Sequence, residues 1–140
     1  KISALTKDLS ELLPELVPVL KTKINAQALE RTGKQAFHPP CTLQHGQQLK
    51  GGVEKHLGDL GFDVQVANQE AHLCCGSAGT YSVLNPDIAY TLRDRKLNHL
   101  DALQPRAILS ANVGCITHLQ SGTDVPVKHW VEVLDAVLAP

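Results

Sequence analysis

The chain has no methionine, and it begins with Lys1. Open reading frames start with methionine, so the expectation is a trimmed protein or a piece of a longer one. Aromatic side chains are scarce at 4%, although 43% apolar residues in a chain of 140 suffice for one compact domain with a core. No apolar run approaches the roughly 20 residues that span a bilayer. The most apolar early stretch, ELLPELVPVL, is interrupted by two prolines and two acids. A secretory signal pattern is absent too. There is no basic block and the net charge is −1, which leaves no footprint for nucleic acid. No Gly-x-Ser-x-Gly elbow makes a nucleophile of Ser77, Thr80 or Ser82; these hydroxyls are expected to cap the next helix. Gly51-Gly52 is no dinucleotide fingerprint, since it reads as the inside of an amphipathic helix rather than the turn after a strand.

What the chain does have is a rhythm. Leu5, Leu9, Leu12, Leu13 and Leu16 follow helical spacing, until Pro14 and Pro18 break or kink the pattern. Residues 21–33 are polar and read as a surface connection with one helical turn. From there strands and helices alternate. KQAFH is a strand ended by Pro39-Pro40. Leu49, Val53, Leu57 and Leu60 mark one face of a helix over 44–60, stopped by Gly61. FDVQVA is a second strand. Asn85-Pro86 opens a helix with proline in its first turn, and Ile88, Ala89, Leu92, Leu100 and Leu103 form its apolar face. Leu97 falls off that face without a reason in the pattern. RAILSA is a third strand, followed by a short helix over roughly 116–121. VPVKHW is a fourth strand and VEVLDAVLA a last helix. The class is therefore α/β: a three-layer domain with a mostly parallel four-stranded sheet, helices on both faces, and an N-terminal helical lead-in. The boundary falls between a lead-in at 1–33 and a main domain at 34–140.

The four cysteines share one structural position in that scheme. Cys41 comes after the first strand, Cys74 and Cys75 after the second, Cys115 after the third. Open parallel sheets bind ligands at the carboxyl ends of their strands, so these thiols are expected to meet in one small site. His118, one helical turn after Cys115, is placed to join them. The plain alternative is that each cysteine is a small core residue; the position of all four after strand ends argues against it. A vicinal bridge between Cys74 and Cys75 is disfavoured by Gly76 and Gly79, which open the loop for close approach. Zinc sites usually draw ligands from spaced pairs such as Cys-x-x-Cys. Two adjacent thiolates suit a multi-iron cluster better, with Gly76 and its neighbours supplying room and backbone N–H groups.

Other histidines carry less. His38 and His45 flank Cys41 and, with Gly76, are placed to donate to a cluster sulfur or to orient a ligand. His72 reads as a polar loop residue, His56 and His99 as solvated helix residues, and His129 as packed beside Trp130 at a strand end.

The motifs HPPCTLQH, HLCCGSAGTYS, NVGCITHL and VKHW, in this order, resemble the C-terminal cysteine-rich (CCG) domain of glycolate oxidase iron–sulfur subunits. The resemblance runs from about residue 36 to the end, and KISALTKDLSELL resembles the lead-in helix. The wider family includes the heterodisulfide reductase subunit with non-cubane [4Fe-4S] clusters, whose pattern is Cys, a gap, Cys-Cys-Gly, a gap, then Cys-x-x-Cys. Here the gaps are 32 and 39 residues, and His118 stands where the last cysteine would be. The resemblance implies an iron–sulfur cluster held by Cys41, Cys74, Cys75, Cys115 and His118, with zinc as the alternative occupant. It implies a non-catalytic electron-transfer part of an oxidoreductase. FAD would sit only on partner subunits that oxidise glycolate to glyoxylate. Relatives serving lactate or glycerol-3-phosphate have similar domains. Ferredoxin-like cysteine runs and a first cysteine-rich repeat, which the resemblance places in a full subunit, are not in this sequence. The implied location is the cytoplasm, with peripheral membrane association through the complex left open.

Overall fold

The computed structural model describes residues 2, 3 and 5–139. Its strands are β1 (Gln35–Phe37), β2 (Val64–Val66), β3 (Ala107–Ser110) and β4 (Val127–His129). They form one four-stranded sheet in the order β2-β1-β3-β4 with every pairing parallel. The helices are α1 (Leu9–Lys23), α2 (Ala26–Thr32), α3 (Gly52–Asp59), α4 (Tyr81–Leu84), α5 (Pro86–Asp101), α6 (Val113–Gln120) and α7 (Trp130–Asp135).

Period-two alternation sorts the strand residues between two cores. Phe37 and Leu109 face one side, where Leu13 of α1, Val53 and Leu57 of α3, and Trp130 and Val133 of α7 cover them. Ala36, Ile108 and Val127 face the other, under Leu97 and Leu100 of α5 and Leu119 of α6. The result is the three-layer α/β arrangement expected from the alternation. The order reverses at the neighbours β1 and β3, whose exit loops part in opposite directions. This is the switch point where such sheets bind ligands.

The lead-in departs from its sequence reading. The prolines do not break α1; both lie inside it. Leu13, Val17, Leu20 and Ile24 recur every three or four residues and pack on the core, while Pro14 and Pro18 are exposed. Packing of the apolar stripe outweighs two lost hydrogen bonds, and an Asp8–Glu11 capping box fixes the start. Leu5, Leu9 and Leu16 are exposed instead of buried. The polar stretch 21–33 is mostly helix, and its junction is tied to the chain end by Asn25 N–H to the Val137 carbonyl at 2.8 Å and Ala139 N–H to that of Lys23 at 2.8 Å.

Three other elements shift. The helix expected over 44–60 is two pieces: a wide π-helical turn, Thr42–Gly46, then α3. Gln48 and Gly51 have φ of 59° and 74°, which ends the first piece, so Gly51 caps α3 rather than lying inside it. The face of α5 is rotated from the one expected: Leu97 is buried and Ile88 exposed, which accounts for the residue the pattern left over. The helix after β3 starts at Val113, so Cys115 is in its first turn.

Candidate metal centre

The site is built from the ends of β1, β2 and β3. After Phe37 the chain enters His38-Pro39-Pro40-Cys41, all buried except half-buried Cys41. Amide and hydroxyl bonds pin this turn: His38 N–H donates to the Leu109 carbonyl at 2.8 Å, Ser110 Oγ to the His38 carbonyl at 3.0 Å, and Gln44 Nε2 to the Pro39 carbonyl at 2.6 Å. On the β3 side, Asn112 caps α6 through Gly114 N–H and Cys115 N–H at 2.9 and 3.3 Å. That fixes Cys115 at the front of the helix.

The cysteine loop after β2 is held by two glycines. Gly76 has φ of +92°, and a Cβ there would lie 2.3 Å from the Ala89 carbonyl oxygen. Gly114 brings α6 against the loop: its Cβ would meet Ser77 Oγ at 2.8 Å. Gly76 N–H donates to Cys74 Sγ at 3.3 Å. Arg95, Lys96 and His99 of α5 clasp the approach to the pair. Arg95 grips the Glu70 carboxylate, His99 Nε2 bonds it at 2.9 Å, and Lys96 Nζ donates to the Glu70 and Ala71 carbonyls at 2.6 and 3.2 Å.

These elements bring all four cysteines to one cavity of about 420 Å³, lined by Pro40, Cys41, Cys74, Cys75, Asn112 and Cys115 among others. Cys75 and Cys115 are buried, Cys41 and Cys74 half-buried, and no disulfide joins them. His38, Cys75 and Cys115 place their ligand atoms within 4.8 Å of one another. His38 is 1% exposed, and neither ring nitrogen has a hydrogen-bond partner. A buried imidazole without partners is costly, so its natural use is to serve an electrophile held beside Cys75 and Cys115.

The neighbouring Cys115 thiol lowers the Cys75 pKa, helped by His38 and the Ser77 backbone against the cost of burial. Cys115 is pushed up in return, by Cys75 and by burial. Burial, then the neighbouring Cys74, raises Cys41 to about 11. Cys75 is thus the thiol disposed to ionise first, while Cys41 and Cys115 are disposed to keep their protons until a cation displaces them.

The remaining histidines divide. His118 Nε2 lies 3.1 Å from the Ala89 carbonyl, and its ring stacks on Tyr90 with centroids 5.9 Å apart; it stands behind Gly76 and not in the cavity wall. His45 is exposed and also outside the wall. His99 is no solvated helix residue but part of the Glu70 clasp. His129 caps α7 by accepting from Val131 N–H at 3.2 Å. Ser77, Thr80 and Ser82 make no cap; α4 has no side-chain cap bond. Sequence reasoning set His38 beside the site, where its ring lies near the Cys75 and Cys115 sulfurs without lining the cavity; it passed over Lys96. The spacing Ala89, Lys96, Leu100 puts that lysine on the buried stripe of α5, which was the available signal.

The description "Cysteine-rich domain" (CCG) belongs to the family whose pattern matches residues 35–120. The chain is 46% identical over 133 residues to the glycolate oxidase iron-sulfur subunit of Escherichia coli (strain K12), covering 94% of this chain and 32% of that protein. It is 28% identical over 110 residues to lactate utilization protein A of Oceanobacillus iheyensis, covering 74% and 44% respectively. It is 27% identical over 141 residues to lactate utilization protein A of a Geobacillus species (strain WCH70), covering 97% and 58%. The chain thus spans from a third to under three fifths of these relatives' lengths.

Proposed function

The chain belongs to the cysteine-rich (CCG) domain family, and from that premise we propose that it is an iron–sulfur electron-transfer domain of a glycolate-oxidising complex. The observation that carries the reading is the gathering of Cys41, Cys74, Cys75 and Cys115 on one cavity at the sheet's switch point. The donor set fits such a group. Four sulfurs suit iron–sulfur ligation, the buried His38 nitrogens lack partners, and Gly76 and Gly114 keep side chains out of the loop contacts. A cavity of about 420 Å³ is also far larger than the ≈ 30 Å³ share of one water, and so larger than a bare ion requires.

In this reading Cys41, Cys74, Cys75 and Cys115 hold the cluster. His38 faces it as a nitrogen donor or hydrogen-bond partner. His118, the residue in the family's last cysteine position, joins the ligands only by releasing the Ala89 carbonyl. When bound, the group accepts electrons and passes them on. The chain's own residues prepare for it: Cys75 offers the first thiolate, and Cys41 and Cys115 release their protons on loading. The electron source is a flavin-bearing partner subunit. Glycolate is favoured over lactate because identity is 46% to the glycolate oxidase subunit and 27–28% to the lactate utilization proteins. Among the described residues no helix is long and apolar enough to cross a membrane; the proposed place is the cytoplasmic face, reached through the complex. The cysteine-rich unit proper is 34–140, with 1–33 as its cover.

A second reading has one observation in its favour. His38, Cys75 and Cys115 already form a three-donor cluster, which a single zinc completed by Cys41 or Cys74 would satisfy. The domain would then be a docking module that carries no electrons. Protein purified without air separates the two. Iron and acid-labile sulfide with visible absorption support the cluster; stoichiometric zinc with neither supports the docking module.

A further inference from the structure

Lys96 is a lysine in the wrong place for an ordinary one. It lies on α5 with the residue 1% exposed, on the helix whose Leu97 and Leu100 pack in the core that also holds Cys75 and Cys115. Its Nζ donates to two backbone carbonyls, Glu70 and Ala71. Among the described residues it makes no ion pair with a carboxylate: the nearby Glu70 side chain is taken by Arg95 and His99. An uncompensated buried ammonium is costly, and a leucine or methionine would fill the same space without that cost. The two carbonyls alone do not explain the charge, since neutral donors satisfy carbonyls as well.

The acidic groups within electrostatic reach of it are the thiols and, without direct contact, the Glu70 carboxylate. The carbonyls that Lys96 grips lie three and four residues before Cys74, on the same loop as the cysteine pair; burial lowers its pKa, and Cys75, Glu70, Cys41 and Cys74 act against that. We propose that Lys96 is the resident counter-cation of the cysteine site: a positioning residue whose ammonium fixes the Cys74–Cys75 loop and offsets the negative charge of the thiolates and the group they hold. This rests on the reading of the cavity as a metal or cluster site. It adds a specific consequence. Reduction adds an electron to an already negative centre, and a fixed cation close by favours the reduced form. Lys96 therefore raises the centre's reduction potential, which suits an acceptor of electrons from a flavin.

The test uses Lys96→Arg, Lys96→Gln and Lys96→Met in the full chain, prepared without air. Wild-type metal and sulfide content is the control; a wild type that binds no metal overturns the reading of the site itself. Where wild type loads, a redox titration followed by electron paramagnetic resonance is decisive. Lys96→Gln keeps donors for the two carbonyls but loses the charge. It is expected to shift the reduction equilibrium at least tenfold toward the oxidised form, about 59 mV for one electron. Lys96→Arg is expected to stay within threefold of wild type. Lys96→Met is expected to match the potential loss and also to lose metal faster. A Lys96→Gln potential within twofold of wild type overturns the proposal, as does an equal shift in Lys96→Arg. Should the neutral variants fail to fold, wild-type protein labelled at lysine decides by nuclear magnetic resonance with the zinc ion as probe. One side-chain signal, identified by its absence in Lys96→Arg, is expected to move on zinc loading; a signal that stays put overturns the proposal.

Discussion

Ser110 Oγ donates to the carbonyl of His38 at 3.0 Å, and both residues are buried. This bond joins the end of β3 to the end of β1 at the point where their loops diverge. It is therefore the brace between the turn carrying His38 and Cys41 and the loop leading to Cys115. Ser110→Ala removes the donor and leaves a buried acceptor short of a partner, which costs about 1–3 kcal/mol. The expected result is a lower melting temperature together with weaker zinc uptake by metal-free protein. A melting curve superimposable on wild type would show that the brace carries no stability.

Gly76 is held at φ +92° against the backbone of α5. An alanine there adds a backbone penalty of about 1–3 kcal/mol and drives its Cβ into the Ala89 carbonyl. Gly76→Ala is expected to displace the Cys74–Cys75 loop and to lose metal, while Gly79→Ala, whose Cβ meets nothing within 4 Å, incurs only the backbone penalty. Metal content of the two variants, measured side by side, checks the order. Equal loss in both would mean that contact with α5 is irrelevant.

The sheet and the meeting of the cysteines were legible because each rests on a period or a topology. The regular succession of short strand candidates and amphipathic helices marks a parallel sheet, with QAF and AILS, buried at every position, as its central strands, and a parallel sheet gathers the loops leaving its strands at one edge. Helix boundaries were less legible. Pro14 and Pro18 read as breakers because local chemistry says so, and only the packing of Leu13, Val17 and Leu20 reveals that the helix survives them. Side-chain direction was not legible at all. His38 and His118 both sit close in sequence to a cysteine, yet one ring faces the thiols and the other turns to the Ala89 carbonyl. That choice is made by the rotamer and the neighbouring element, which no spacing encodes.

The two imidazoles therefore predict opposite outcomes from those of the family pattern. His38→Ala is expected to weaken zinc or cluster retention by at least about tenfold, as loss of a residue supporting a metal site does. His118→Ala is expected to cost mainly stability, on the order of 1 kcal/mol, through the lost bond to Ala89. Competition with a chelator ranks the variants. If His118→Ala loses metal more readily than His38→Ala, His118 has swung into the ligand set and the arrangement seen here is not the loaded one.

Acid should loosen the cysteine loop. Glu70 holds that loop to α5, and its hydrogen bond from Arg95, followed by that from His99, lowers its pKa below the ordinary 4.5 despite some desolvation. A carboxylate with a depressed folded-state pKa adds stability that is fully present above the unfolded value of 4.5. That contribution is lost as pH falls through the lower folded-state value. Glu70→Gln removes the charge at every pH. At pH 7 the variant is expected to open its loop more often, read as faster hydrogen exchange at the Leu73 amide, which bonds the Glu70 carbonyl at 2.9 Å. Below the carboxylate range wild type has lost the same charge, so the two proteins should converge. Arg95→Leu in place of Glu70→Gln is expected to give the same convergence from the other partner. A gap between wild type and Glu70→Gln that persists undiminished in acid would show that the glutamate acts by shape alone, with its ion pair to Arg95 contributing nothing to the loop.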